Sequence, residues 1–158
     1  GDTVVSSSGD VLKNWEDIKR VEKHQDTVTD SLKAVAKSLP GLWRAEKIQK
    51  KAAKAGFDWP DVSGAMDKLA EELTELSDAV NSGVGTEEEL GDLLFSAVNV
   101  ARHMGIDPEV ALGKSCDKFI SRFEYVELES GKEGKILSEM TLSQMDELYE
   151  KGKERENK

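Results

Sequence analysis

Two short stretches hold carboxylates at a spacing that lets them act together. KLAEELTEL (68–76) carries Glu71, Glu72 and Glu75, and EEELGDLLF (87–95) carries Glu87, Glu88, Glu89 and Asp92. Both are leucine-rich and read as helices. Helical residues advance about 100° each, so a stripe of Val62, Met66, Leu69, Leu73, Leu76 and Val80 leaves Glu72 about 80° and Glu75 about 140° to one side. Glu71 faces away from that stripe. On the second helix, Leu90, Leu94, Ala97 and Ala101 form the stripe, with Glu89 about 100° and Asp92 about 160° to the matching side. Each helix presents an i, i+3 carboxylate pair on one shoulder of its apolar face.

Four carboxylates brought to one edge of a helix pair repel, and partial burial adds to the cost. A hard divalent cation relieves that repulsion, since Mg²⁺ takes oxygen ligands and keeps waters that phosphates can replace. The plainer reading is two solvated acidic faces, the second favoured by a helix N-terminus. That suffices for either pair alone; the matched geometry of both tips the balance toward a metal site.

Lys118 and Arg122 stand i, i+4 beside a Phe119/Phe123 stripe and can grip phosphate oxygens, the guanidinium with two N–H groups. Their plain reading is surface charge. Trp43, Phe57 and Trp59 either shape a base pocket or simply pack, and packing is the commoner role for aromatics near helix ends. Lys47, Lys50, Lys51 and Lys54 read as a solvated face. His24 and His103 read as surface or cap groups, and Cys116 as a small core side chain.

The elements that must position these groups follow from periodicity and punctuation. A first helix is expected over 10–25, with a connector up to Pro40 and Gly41. A second helix runs over 41–55 to Gly56, and a third over 61–80 to the NSGVG break. Thr86 with Glu89 predicts a capping box opening a fourth helix over 87–104. Asp107-Pro108 starts a fifth that reaches about residue 129. Thr141 with Gln144 predicts a second capping box and a short last helix before a fraying KGKERENK tail. A short loop makes the third and fourth helices antiparallel neighbours. The fold class is all-α, an antiparallel helical bundle.

Composition narrows the function. The net charge of −10 argues against a protein held to nucleic acid by a positive field, though metal ions can bridge an acidic protein to a polyanion. No apolar run reaches the roughly 18 residues of a membrane span, and no signal-peptide pattern opens the chain. One cysteine among 158 residues leaves no internal disulfide framework and fits a reducing cytoplasm. The lack of an initiator Met fits a fragment or a processed chain.

EELTE (71–75) followed by ELGD (89–92) resembles the EExxE…ExxD pattern of all-α nucleoside triphosphate pyrophosphohydrolases. LPGLWRAEKIQKKAAKAGFDW, EEELGDLLFSAVNVARHMGIDPEVAL and DKFISRF resemble the MazG family over roughly residues 9–151, most closely its C-terminal catalytic domain. Residues 1–9 read as a small, polar, flexible segment and 152–158 as a charged tail, and the resemblance implies a catalytic domain 10–151 with an N-terminal MazG domain missing from this chain. It implies Mg²⁺-dependent hydrolysis of NTPs or dNTPs between the α- and β-phosphates, with broad specificity, in nucleotide-pool house-cleaning; Mn²⁺ is an alternative metal. The implied metal ligands are Glu72, Glu75, Glu89 and Asp92. Glu71 fills the motif's first position and orients a ligand, a water or a lysine. Lys118, Arg122 and Tyr149 would contact substrate, Tyr149 standing where relatives often carry Trp; Lys68 is a further substrate contact. A homodimer or higher homo-oligomer is implied, with the bundle's core completed across subunits. Two rivals stay open: a pyrophosphatase restricted to one noncanonical, deoxy or phosphoribosyl nucleotide, and a silent metal-binding module that joins partners.

Overall fold

The structure, a computed structural model, describes residues 8–22 and 26–158. Among them are seven α-helices, one 3₁₀ turn and no strand, so the all-α fold class holds. The helices are α1 (Ser8–Glu22), α2 (Val28–Lys33), α3 (Gly41–Lys54), α4 (Val62–Ser82), α5 (Thr86–His103), α6 (Pro108–Lys132) and α7 (Leu142–Glu156), with the 3₁₀ turn at Leu137–Glu139. The expected N-terminal segment falls largely outside the described residues, as does His24. The chain divides into two compact units, one ending at Glu109 and one spanning Val110–Lys158.

In the first unit α5 packs against both α4 and α3, and α2 packs against α3. The stretch 26–40, expected as a plain connector, contains α2, opened by a capping box between Thr27 and Asp30. The α4–α5 turn is built on two left-handed glycines, Gly83 (φ 73°) and Gly85 (φ 75°). A side chain at either position would strain the backbone. The expected Thr86/Glu89 capping box does not form. Gly85 takes the N-cap position, and the Thr86 hydroxyl instead donates to the Ala79 carbonyl (3.3 Å). Thr86 thus satisfies the end of α4 rather than the start of α5.

The buried face of α4 also differs from expectation. Ala65, Glu72 and Ala79 are its buried residues, while Met66, Leu73 and Val80 are 49%, 58% and 61% exposed. The residues that turn inward recur every seven positions, two alanines flanking Glu72, and the larger apolar stripe one residue later is left uncovered. Leu90 and Leu94 on α5 are likewise about half exposed. Glu72 therefore lies within the helix contact and not on its shoulder.

In the second unit Val126, Ser130 and Leu148 are buried. Gly152 is buried too, because the Tyr125 ring lies against it; an added Cβ would stand 3.1 Å from that ring. α7 opens with the predicted Thr141/Gln144 capping box and continues to Glu156, through most of the tail expected to fray. Cys116, expected in a core, is exposed, since its face of α6 is uncovered along with Leu112, Phe119 and Ile120.

Candidate active site

Glu72 and Glu75 lie one turn apart on α4, and Glu89 belongs to the first turn of α5. The hairpin brings one carboxylate oxygen of each within 4.8 Å of the others. The Glu89 N–H donates to the Gly85 carbonyl (3.1 Å), the bond that opens the α5 ladder. Glu72 is 5% exposed. One oxygen of Glu72 and one of Glu89, each the Oε2, are buried without a hydrogen-bond partner. Glu75 is exposed, and its carboxyl is held above the ordinary range, first by its hydrogen bond to Glu72 and the charge there, with Glu89 adding. Crowded carboxylates that lack donors are a physical demand for positive charge.

Part of that demand is met by Lys68, whose ammonium lies 3.1 Å from Glu72 Oε1 and 3.4 Å from Glu71 Oε1. The Glu72 hydrogen bond is the main reason Lys68 holds its proton more tightly than usual, with Glu71 contributing. Glu71 points outward and grips the lysine. Asp92 stands outside the close group of three and lines a cleft together with Lys68 and Glu72.

That cleft encloses ≈ 660 Å³ and is walled further by Gln49, Phe57, Trp59, Phe95, Asn99 and Arg102. The loop between α3 and α4 forms one wall and is clipped to the end of α5. Arg102 donates to both Asp58 carboxylate oxygens (2.5 and 2.9 Å) and to Asn99 Oδ1 (2.8 Å). His103 Nε2 lies 3.0 Å from Asp58 Oδ1, and the Trp59 N–H donates to the same oxygen (2.9 Å). The Arg102 hydrogen bonds hold Asp58 below the usual carboxylate range. Trp59 rests on Gly64, where a Cβ would come within 2.8 Å of the indole. Phe57 and Trp59 thus reach the cleft. Trp43 does not line it; its indole N–H donates to Asp107 Oδ1 (2.8 Å). Lys50 and Lys54 pair with Glu46 and Glu16 at 3.0 Å each, as befits a solvated basic face.

The remaining predicted contacts lie in the second unit. Arg122 donates to Glu156 through Nε (3.2 and 3.3 Å) and a terminal nitrogen (3.0 Å), and Glu156 raises its already high pKa. The guanidinium also stands 5.8 Å from the Tyr149 ring centre, which packs 6.1 Å from Phe119. Lys118, one turn earlier, is exposed.

Sequence reasoning missed Gln49, Asp58, Asn99 and Arg102, and it read His103 as a surface or cap group. Gln49 had a signal: it interrupts the inner face of α3 formed by Leu42, Ala45, Ile48 and Ala52. The Asp58–Arg102–His103 clip joins residues more than 40 positions apart, and no local pattern announces it.

A helical hairpin that converges three carboxylates beside an aromatic-walled cleft defines an all-α protein built around an acidic centre. A family model described as the MazG nucleotide pyrophosphohydrolase domain matches residues 61–127, from the N-cap of α4 into α6, so this part of the chain is a MazG-type domain. It is 40% identical over 159 residues to the nucleoside triphosphate pyrophosphohydrolase of Escherichia coli K12, covering 98% of this chain and 60% of that protein. It is 42% identical over 147 residues to the nucleoside triphosphate pyrophosphohydrolase/pyrophosphatase MazG of Thermotoga maritima, covering 93% of this chain and 57% of that protein. It is 46% identical over 160 residues to the uncharacterized protein YabN of Bacillus subtilis, covering 99% of this chain and 32% of that protein. The chain thus spans less than two thirds of the length of each of these relatives.

Proposed function

We propose that this chain is the catalytic part, residues 10–151, of a cytoplasmic enzyme that hydrolyses nucleoside triphosphates between the α- and β-phosphates. The products are a nucleoside monophosphate and pyrophosphate, from several NTPs or dNTPs in the manner of a house-cleaning enzyme. The observation that carries this reading is the group Glu72, Glu75 and Glu89, with two buried orphan oxygens, at the edge of a cleft that also offers Lys68 and aromatic walls.

The donor set fits a hard divalent cation: it is all oxygen, net negative and short of hydrogen-bond donors. Glu72, Glu75 and Glu89 would hold the ion, with Asp92 as the fourth ligand. Mg²⁺, or Mn²⁺ in its place, supplies charge neutralisation of the phosphates and a more acidic bound water. Lys68, steered by Glu71, meets phosphate oxygens that enter beside Glu72. The carboxylates of this group would also accept the proton of the attacking water. Lys118 and Arg122 take the triphosphate oxygens and stabilise charge as it builds; Arg122 exchanges Glu156 for phosphate in doing so. Tyr149 packs near the nucleotide. The uncovered faces of α4 and α5 support a homodimer, in which a second copy covers Met66, Leu73 and Val80.

The test is incubation with a panel of nucleotides in Mg²⁺ and resolution of the products. Monophosphate and pyrophosphate are expected; orthophosphate with diphosphate would overturn the cleavage site. Metal binding without turnover of any nucleotide would leave a binding module in place of an enzyme.

A further inference from the structure

The cleft wall contains a polar group that neither the acidic centre nor the Asp58 clip uses. Gln49 is 5% exposed on the inner face of α3, and its Nε2 donates to the carbonyl of Phe95 on α5 (2.9 Å). A carbonyl can only accept, so the nitrogen must face Phe95 and the orientation of the amide follows. The other atom, Oε1, is buried and has no partner among the described residues. A buried acceptor left bare is costly, and nearly all such atoms in folded proteins are satisfied. Gln49 is also a lining residue of the cleft, so a donor that enters there is a group that can complete this bond.

Gln49 lines the same cleft as Lys68, Glu72 and Asp92, together with Phe57 and Trp59. A triphosphate held by the charged residues leaves its nucleoside to the rest of that space, where flat aromatic surfaces suit a base. With the amide nitrogen turned toward Phe95, the oxygen is the atom left without a partner, and it rewards a donor over a carbonyl oxygen.

We propose that Gln49 is a specificity-determining residue: Oε1 accepts a hydrogen bond from an N–H on the edge of the nucleobase. This rests on the nucleotide reading of the cleft. The donor is either an exocyclic amino group or a ring imide N–H, and the two are separable by experiment.

The experiment measures binding of nucleoside monophosphates by calorimetry, in pairs that differ by one donor. AMP is compared with purine riboside monophosphate and CMP with its analogue lacking the amino group; UMP is compared with its N3-methyl form and GMP with its N1-methyl form. Wild-type protein should favour the donor-bearing member of at least one pair by about ten-fold or more, because a site built to bond an N–H strongly rejects the analogue lacking it. Gln49→Met, of similar length but without the acceptor, should weaken only the donor-bearing member and bring that ratio near one. An unchanged ratio in a folded Gln49→Met protein would overturn the proposal, as would a preference that follows a sugar hydroxyl instead. If the variant does not fold, the wild-type panel still decides, since equal binding within every pair also overturns it. Turnover assays on the matching triphosphates separate the two readings. Hydrolysis without any pair preference refutes the role of Gln49 alone; pair preference without hydrolysis refutes the enzyme reading and leaves base recognition standing.

Discussion

The two charged groups of this molecule are finished differently. On α4 and α5, three carboxylates crowd within 4.8 Å and two of their oxygens have no donor. On α6 and α7, Arg122 is gripped by both oxygens of Glu156 and lies beside a tyrosine ring. A fold that had settled all its charges would resemble the second group. The first is destabilising as it stands, and a buried acidic site short of donors persists where a ligand supplies what is missing. The contrast predicts that altering the acidic group changes function greatly, while altering the cationic pair changes little beyond ligand affinity.

The strongest way to break that contrast is Glu72→Gln. This variant keeps the side-chain shape and removes the buried charge around which the group is organised. Activity should fall more than about 100-fold, beyond the 10–100-fold typical of residues that only support a metal ligand. The same variant should lose the rise in melting temperature that Mg²⁺ gives the wild type, an effect that follows from a ligand binding only the folded state. Wild-type turnover, or an intact Mg²⁺-induced shift, would remove Glu72 from the site.

Chelation and pH sharpen the comparison next. Glu75 titrates above its ordinary 4.5 in the folded chain, so the folded state binds more protons than the unfolded state in that window. Stability of the metal-free protein should therefore fall as pH rises through 4.5 and toward the folded value. Glu75→Gln should flatten this slope, and so should saturating Mg²⁺. Asp58 has the opposite sign. Its carboxyl is held below 3.8, so its contribution is complete above that pH and is lost as pH drops toward the folded value. Denaturant melts across pH, with and without chelator, resolve the two.

How much of this was legible from the amino-acid order depends on the range of the interaction. Local signals were reliable: α3 was marked by its proline start and glycine stop, and α7 by the Thr141/Gln144 box. The pairing of acids on consecutive helices was also visible, and it brought Glu72, Glu75 and Glu89 together. The inward face of α4 was misread because periodicity finds an apolar stripe without saying what covers it. Met66, Leu73 and Val80 look like core, yet the helix contact is made by Ala65, Glu72 and Ala79. Thr86 was misassigned for a similar reason: its hydroxyl answers a carbonyl on the preceding helix, which a motif read forward along the chain does not consider.

Between the two charged groups in expected effect lies the clip that holds the cleft wall. Asp58→Asn keeps the shape but weakens two charge-assisted bonds from Arg102. A loss of about 1–2 kcal/mol in stability is expected from hydrogen bonds of this kind at a partly exposed site. The larger signature should be kinetic, with KM for nucleotides rising several-fold while kcat changes less, because Phe57 and Trp59 lose a fixed position. Equal losses in kcat and KM-corrected rate would instead mean that the clip acts on the transition state.

The smallest effect belongs to Glu156→Gln. Exposed ion pairs contribute little to stability, so the melting temperature should stay within error of the wild type. Its value lies in direction. If Arg122 serves the triphosphate, Glu156 competes with phosphate for the same guanidinium, and weakening that competitor should lower KM by a few-fold. If Glu156 instead holds Arg122 in its working position, the same change should raise KM. Salt separates these outcomes from a surface pair with no role, because screening should erase a real competition and leave an idle pair unchanged. A KM that is identical in the variant and the wild type at low and high salt would show that Arg122 is settled for structural reasons alone. In that case Arg122 would no longer count among the substrate contacts, and the triphosphate would depend on Lys68, Lys118 and the bound cation.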